Sequence, residues 1–343
     1  MAFHRTAKIR LFGLFVVAFS LIAVGVSVSG TAQAQEFVLK FGTQTINDIQ
    51  HEYMKVYKTE LEKATNGKIK VEIYPASQLG AIGAMLSGIR VGSIEGLTGP
   101  AELYVGIDSR YQALAMAGLF KSIEHARRVF DLPEARKEIF AIGEQRGLVT
   151  IGLTPYDLQM FCFKQPVTKL ADFNGKRVRV LASEAEQAEV KALGASTIPM
   201  ALPETLPALQ QGTIDGVTSV IGVFNAFRYY DTAPNLTDTK LWALISTVQI
   251  SKVWYDKLPP DLQKAVKDVG ARIEPQIHQW QLARIQSDRN NWIKNNGKIV
   301  TLAPAEQAEA EKRVAQSLAP MFAKDAALKG FYDKIKSIAA KVN

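Results

Sequence analysis

Residues 37–41 alternate apolar and polar side chains and predict a first strand, closing at Gly42, Thr43 and Gln44. Over 49–64 the apolar positions recur at helical spacing, at Tyr53, Val56, Tyr57, Leu61 and Ala64, until Asn66-Gly67 stops the helix. Ile69, Val71 and Ile73 then alternate with Lys68, Lys70 and Glu72, the pattern of a half-buried strand that Pro75 ends. A glycine-rich helix over about 79–90 follows, and the apolar run 94–100 predicts a buried strand with Thr98, Gly99 and Pro100 at its carboxyl end. Residues 123–146 read as one amphipathic helix and 147–153 return to strand.

The stretch 169–219 is the most ordered pattern in the chain. A basic-apolar strand over 176–181 leads into a helix with Ser183 as N-cap, Glu186 three residues on and Gly194 at its end. A second strand covers 195–200. Pro203 occupies the first turn of the next helix, Gly212 closes it, and 213–219 is a short buried-type strand. Connections this short predict a parallel, right-handed βαβαβ unit, in which ligands bind at the carboxyl ends of strands. Arg179 and Ser219 fall at such ends, so this unit is expected to form one wall of a cleft and 94–100 the facing wall. Residues 247–253 are strand-like again, and 260–296 keep helical periodicity through Pro275, which should kink the helix. A helix of that length would cross two domains. The alanine- and lysine-rich tail, 304–342, reads as helix packed on the second domain. The expected organisation is α/β in two lobes, with residues 35–155 plus 246–285 in lobe I and 156–245 plus 286–343 in lobe II.

Residues 1–34 stand apart. His4, Arg5, Lys8 and Arg10 precede an apolar run over 11–28, and Ala32-Gln33-Ala34 is a small-x-small site, so the segment reads as a secretory signal peptide cleaved after Ala34. A permanent membrane anchor is the alternative, because the run is almost long enough to span a bilayer. Loss of Arg5, Lys8 and Arg10 lowers the formal charge of +8 by three, to +5. The basic residues are scattered rather than interleaved with aromatics, which argues against a nucleic-acid surface. The one cysteine, Cys162, excludes an internal disulfide, lies too far from the cleavage site to be a lipoprotein anchor, and sits between Phe161 and Phe163 as core filler.

The chain contains no H-E-x-x-H, G-x-S-x-G, P-loop, G-x-G-x-x-G or C-x-x-C pattern, and His51, His125 and His278 are widely separated, so neither catalysis nor a metal or cofactor is indicated. Most Asp and Glu residues fall on the polar faces of helices and read as solvated surface. Arg179 alternates with Val178 and Val180 on a strand expected to be buried. It serves either as an internal salt bridge to a carboxylate such as Asp215 or as a fork for a ligand carboxylate, which guanidinium geometry suits. Arg177 shares its face nearer the start of the strand and reads as structural.

Four blocks occur in a characteristic order. They are Asn66-Gly67-Lys68 through Tyr74-Pro75 to Gln78-Leu79-Gly80; Asp172, Gly175 and 176–180; 193–195 with Pro199-Met200, 208–210, Gly212 and Asp215-Gly216; and 248–263 with Trp254 and Leu258-Pro259. Together they resemble, over nearly the whole mature chain, the substrate-binding proteins of tripartite ATP-independent periplasmic (TRAP) transporters, the DctP family. The resemblance implies a type II-like periplasmic-binding-protein fold whose long helix bridges both lobes. It also implies a monomeric, cofactor-free periplasmic receptor, not an enzyme, which closes on an organic acid and delivers it to the small and large subunits of a membrane permease driven by an ion gradient. It makes Arg179 the carboxylate clamp. Family members for sugar acids or dicarboxylates often carry a second arginine twenty residues earlier and an asparagine after the Asp-Gly pair; this chain has Gln159 and Ser219 there. The pocket therefore reads as less charged than usual. With Phe161, Phe163, Phe224, Tyr229 and Trp242 as candidates for its wall, a monocarboxylate with an apolar or aromatic body is expected, and Gln44 and Thr98 are the candidate polar contacts from the opposite lobe. A binding protein of an ATP-driven transporter or of a sensory system, and a secreted α/β enzyme, are the competing classes.

Overall fold

The computed structural model describes residues 37–342, so the signal peptide read in residues 1–34 lies outside the described residues. Eleven strands form among them: β1 (Phe37–Gly42), β2 (Ile69–Tyr74), β3 (Gly96–Pro100), β4 (Leu148–Leu158), β5 (Met160–Phe163), β6 (Arg177–Val180), β7 (Ser196–Pro199), β8 (Gly216–Ser219), β9 (Asn235–Asp238), β10 (Ala243–Ser251) and β11 (Lys298–Thr301). They make two sheets, one in the order β2-β1-β3-β10-β4 and the other in the order β11-β9-β5-β8-β6-β7. The first half of the chain folds as its patterning dictates. The helix Ile49–Ala64 buries Tyr53, Tyr57 and Leu61, and β1 pairs in parallel with both β2 and β3.

In the second sheet β6 lies between β7 and β8 and is parallel to both, which is the βαβαβ unit expected over 169–219. Its helices start and stop on the anticipated residues. Ser183 accepts from the Glu186 amide at the head of Glu184–Ala192, and Gly212, at φ +72°, caps Leu202–Gln211 in the left-handed region that glycine tolerates. Arg179 and Ser219, at the strand ends expected to face a cleft, line one cavity with Gln44, just past β1, and Pro100, at the end of β3 in the other sheet.

The chain changes sheets at Gln159, between β4 and β5, and returns between β9 and β10. The long helix Pro260–Lys294 provides the third link. Its first half packs on Ile49–Ala64 and β4, its second on the helix Ile221–Ala226 and β11. Gly270 permits the close approach to β4, since a Cβ there would meet the Ile151 carbonyl oxygen at 2.4 Å. Tyr53 and Tyr57 fasten the same face by donating to the Gly270 and Val266 carbonyls. Pro275 lies inside this helix without ending it.

Two expectations differ, and two strands were not foreseen. The segment 123–146 is two helices, Ile123–Phe130 and Pro133–Phe140, with a short 3-10 turn after them, because Leu132 is held extended before Pro133. The tail is three helices rather than one, and they divide. Pro304–Ser317 packs on Glu184–Ala192, whereas Ala326–Ala339 packs on Ile123–Phe130, Pro133–Phe140 and the 3-10 turn Ser109–Ala115 on the first-sheet side. Strands β5 and β11, four residues each, carry too little periodicity to be read beforehand. No described helix is long and apolar enough to cross a membrane.

Candidate functional site

At the carboxyl ends of β1, β3, β6 and β8, residues from both sheets enclose a cavity of about 30 Å³, room for about two water molecules. Gln44, Thr45, Gln50 and Pro100 reach it from the first-sheet side, and Arg179, Leu181, Leu202, Thr218, Ser219 and Val223 from the second. Tyr156, Gln159 and Leu244 line it from the strands that connect the two. Gln44, Arg179 and Leu181 also border an adjoining hollow of about 200 Å³, walled otherwise by Ile82, Leu103, Ala182, Pro199, Met200 and Ala201. The outer compartment is thus mostly apolar and the inner one rich in amides and hydroxyls.

Arg179 is the charged residue on the inner wall. It is 3 % exposed. Its Nε donates to the Met200 carbonyl at 2.8 Å and an Nη to the Thr218 carbonyl at 3.4 Å, and no described carboxylate lies within ion-pair distance. Burial pushes its guanidinium below the ordinary value, and Glu186, Tyr229 and Glu102 offset this from farther away. Asp215, the carboxylate that an internal salt bridge would use, pairs instead with Arg177, through Nε at 3.0 Å and Nη2 at 2.9 Å, at the opposite end of the strand. The second binding feature is a set of polar groups with nothing to hold. Gln44 and Ser219 face the cavity without a side-chain hydrogen bond to any described residue. Gln50, by contrast, accepts from Thr43 and Thr45 and donates to Ser246.

Of the residues singled out from sequence, the structure brings together Arg179, Gln159, Ser219 and Gln44. It does not bring Phe161 and Trp242 to the wall. Their rings meet edge to face at 6.0 Å and pack with Phe163 and Phe173 inside the second sheet's core. Thr98 is buried on β3 opposite Val248 in β10, off the cavity wall. Phe224 and Tyr229 pack against each other in the core, as does Cys162, whose thiol donates to the Ala233 carbonyl.

Sequence reasoning passed over the acids beside the cavity. Glu186, read only as part of a helix start, turns its carboxylate inward to accept from the Leu181 amide at 2.6 Å and the Thr218 hydroxyl at 2.5 Å. Glu102, on the 3-10 turn Ala101–Tyr104, is 1 % exposed. One of its oxygens accepts from the Gln159 amide at 3.4 Å, and the other has no partner among the described residues. Burial, reinforced by Glu186, pushes its carboxyl up to about 8. Tyr156 was likewise missed. It donates to Asp48, the N-cap of Ile49–Ala64, at 2.9 Å, while its backbone carbonyl accepts from Gln281 of the long helix, so it ties three elements at the cavity floor. The only local signal for Tyr156 was its place beside Pro155 in a strand where register slips.

This arrangement has a buried cation, spare neutral hydrogen-bonding groups and a two-compartment hollow between two sheets. Such an arrangement suits a small anion. Residues 42–325 match the profile of the bacterial extracellular solute-binding proteins, family 7. The chain is 27 % identical over 252 residues, 73 % of its length and 76 % of the relative's, to the 2,3-diketo-L-gulonate-binding periplasmic protein of Escherichia coli. It is 26 % identical over 265 residues, 76 % and 78 % of the two lengths, to the C4-dicarboxylate-binding periplasmic protein of Rhodobacter capsulatus. Among solved structures it is similar to a sugar acid binding protein of Advenella mimigardefordensis in complex with galactonate. That match has a TM-score of 0.85 at 20 % identity and covers 90 % of this chain and 99 % of that one. The chain therefore belongs to family 7 of the bacterial extracellular solute-binding proteins, the periplasmic receptors of TRAP transporters, which are binding proteins and not enzymes.

Proposed function

We propose that this receptor captures a monocarboxylate with an apolar body and hands it to a TRAP permease. The observation that carries the reading is Arg179, a buried guanidinium on the cavity wall whose only hydrogen bonds are to backbone carbonyls. A buried charge left without a counter-charge is costly unless something supplies one. One cation fits one carboxylate. The remaining wall residues, Gln44, Gln159 and Ser219, are neutral, and the 200 Å³ hollow beside Arg179 offers mainly aliphatic contacts to the rest of the ligand. An aromatic body loses the support that Phe161 and Trp242 would have given it, because both rings belong to the core.

The inner cavity alone is too small for such a molecule, so capture requires the lobes to part and close again. Ligand that binds the closed form better shifts the population toward it. We take the lobes to follow the two sheets, the protein to act as a monomer after cleavage behind Ala34, and the permease's small and large subunits to be its partners.

A hydroxylated acid is the second reading. Gln44 and Ser219 present unused donors and acceptors to the cavity, and two of the three relatives named above bind 2,3-diketo-L-gulonate or carry galactonate, the third being a C4-dicarboxylate-binding protein. A thermal-shift screen against aliphatic monocarboxylates, aromatic monocarboxylates, dicarboxylates and sugar acids separates the readings, since ligand that binds only the folded state raises the midpoint. The expected result is a rise with aliphatic monocarboxylates that Arg179→Ala abolishes, with affinity falling about a hundredfold or more. A rise confined to sugar acids selects the second reading. Unchanged affinity in Arg179→Ala would remove the clamp.

A further inference from the structure

We propose that Glu102 is a positioning residue for ligand binding: by gaining or losing a proton in place, it sets which end of the Gln159 side-chain amide faces the cavity. The proposal rests on the reading of that cavity as a carboxylate site and deepens it.

The geometry is that of a two-way contact. The Gln159 backbone is fixed where the chain changes sheets, its N–H donating to the Trp242 carbonyl at 2.9 Å. Its side chain lies on the cavity wall. The outer end of the amide meets one Glu102 oxygen at 3.4 Å, and the second Glu102 oxygen is buried without a partner among the described residues. An ionised carboxylate only accepts hydrogen bonds, so it takes the amide NH2 and leaves the amide oxygen toward the cavity. A neutral carboxyl has an O–H to give. Its carbonyl oxygen still accepts, but the buried O–H then needs an acceptor of its own; the one that Gln159 offers is Oε1, and donation to it turns the NH2 group toward the cavity instead. The exchange is a half-turn about a terminal torsion that is broad and roughly two-fold, and it moves no backbone.

The surroundings favour the neutral form at the pH of most natural waters. Glu186 and Glu189 face Glu102 from the helix Glu184–Ala192, and Arg179 faces it from β6. Burial and Glu186 hold its proton on, while Arg179 opposes them less strongly. With Glu102 neutral, Gln159 adds an N–H donor beside Arg179 for the same anion. With Glu102 ionised, Gln159 presents a carbonyl that repels a carboxylate. The proton is exchanged with bulk water, and no other reactant is needed.

The test uses the unliganded protein, labelled with nitrogen-15 and followed by NMR from about pH 6 to 9. The Gln159 side-chain NH2 pair, assigned by its loss in Gln159→Met, should shift through a single transition that disappears in Glu102→Gln. A nearby charge alone would shift both NH2 protons without turning the amide. The turn is therefore read from their nuclear Overhauser contacts, which should pass from the Glu102 side to the Ser219 side of the cavity as Glu102 is protonated. Contacts that stay on the Glu102 side overturn the proposal. Arg179→Met supplies an independent variant, in which the midpoint must move upward, because the nearby cation favours the ionised form. An amide that does not shift over this range, a transition that survives in Glu102→Gln, or a midpoint that moves down in Arg179→Met overturns the proposal. Since no ligand is added, failure here leaves the ligand-class reading intact, and an unproductive ligand screen leaves this result standing.

Discussion

Two buried charge clusters in this molecule differ in who completes them. On the side of the first sheet covered by the long helix, Glu274 is fully enclosed and fully served: it accepts from Arg127 at 2.7 Å, from Arg136 at 2.7 and 3.2 Å, and from the Leu153 amide at 2.9 Å. In the cleft, Arg179 is as deeply buried but leans only on two backbone carbonyls. The chain closes the first cluster by itself and leaves the second open. On the proposed function, the charge that is matched within the fold holds it together, and the unmatched one is completed by the ligand's carboxylate.

The largest effect should come from breaking the closed cluster. Glu274→Ala leaves half-buried Arg136 without its carboxylate, Arg127 with Asp131 alone and the buried Leu153 amide without an acceptor, and should cost about 3–5 kcal/mol in urea unfolding. Wild-type stability in that variant would mean the two clusters do not differ in kind. Arg179→Ala, by contrast, should leave the unfolding midpoint nearly in place while abolishing binding.

Per pH unit a smaller effect is expected from buried acids that lie outside the closed cluster. Burial pushes Glu102 up to about 8 from 4.5 and Asp157 up to about 7 from 3.8. Between the low and high values the folded protein keeps protons that the unfolded chain has released, so stability should fall as pH rises from about 5 to 8. Each group contributes at most about 1.4 kcal/mol per pH unit. Unfolding midpoints taken at intervals across that range should decline, and Glu102→Gln and Asp157→Asn should flatten the decline. A rise would contradict the assignment. The smallest effect belongs to Arg177→Ala. Its half-exposed pair with Asp215 should be worth little, and ligand affinity should stay at the wild-type level. Equal losses of affinity in Arg177→Ala and Arg179→Ala would erase the distinction between the two ends of β6.

What was legible in the sequence follows from how local each signal is. The helices at 49–64 and 184–192 and the strand bearing Arg179 were readable because a cap, a stop and a periodicity sit within a few residues of one another. That Arg179 and Ser219 would line one hollow was readable because strand ends in a βαβαβ unit converge by topology alone. The failure at Phe161 and Trp242 has the same origin: alternation says that a ring leaves one face of a strand but not whether that face meets a cleft or a core. Glu102 was invisible because its surroundings come from the segments around residues 159, 179 and 186, far apart along the chain. The split of 123–146 was written in Pro133, which the helical periodicity on both sides concealed.

The ladder between β4 and β10 runs to Leu158 facing Ala243, and the Gln159 N–H to Trp242 carbonyl bond carries the pairing one residue past the sheet. The two strands that join the lobes therefore leave together, laced to each other, with the long helix as a separate strut. A joint of that kind resists twisting, because torsion would shear the lacing, yet it flexes across its width as a leather strap does. If the lobes close on ligand as proposed, such a joint would confine opening and shutting to nearly a single path, and the faces that meet on the ligand would return in the same alignment on every cycle.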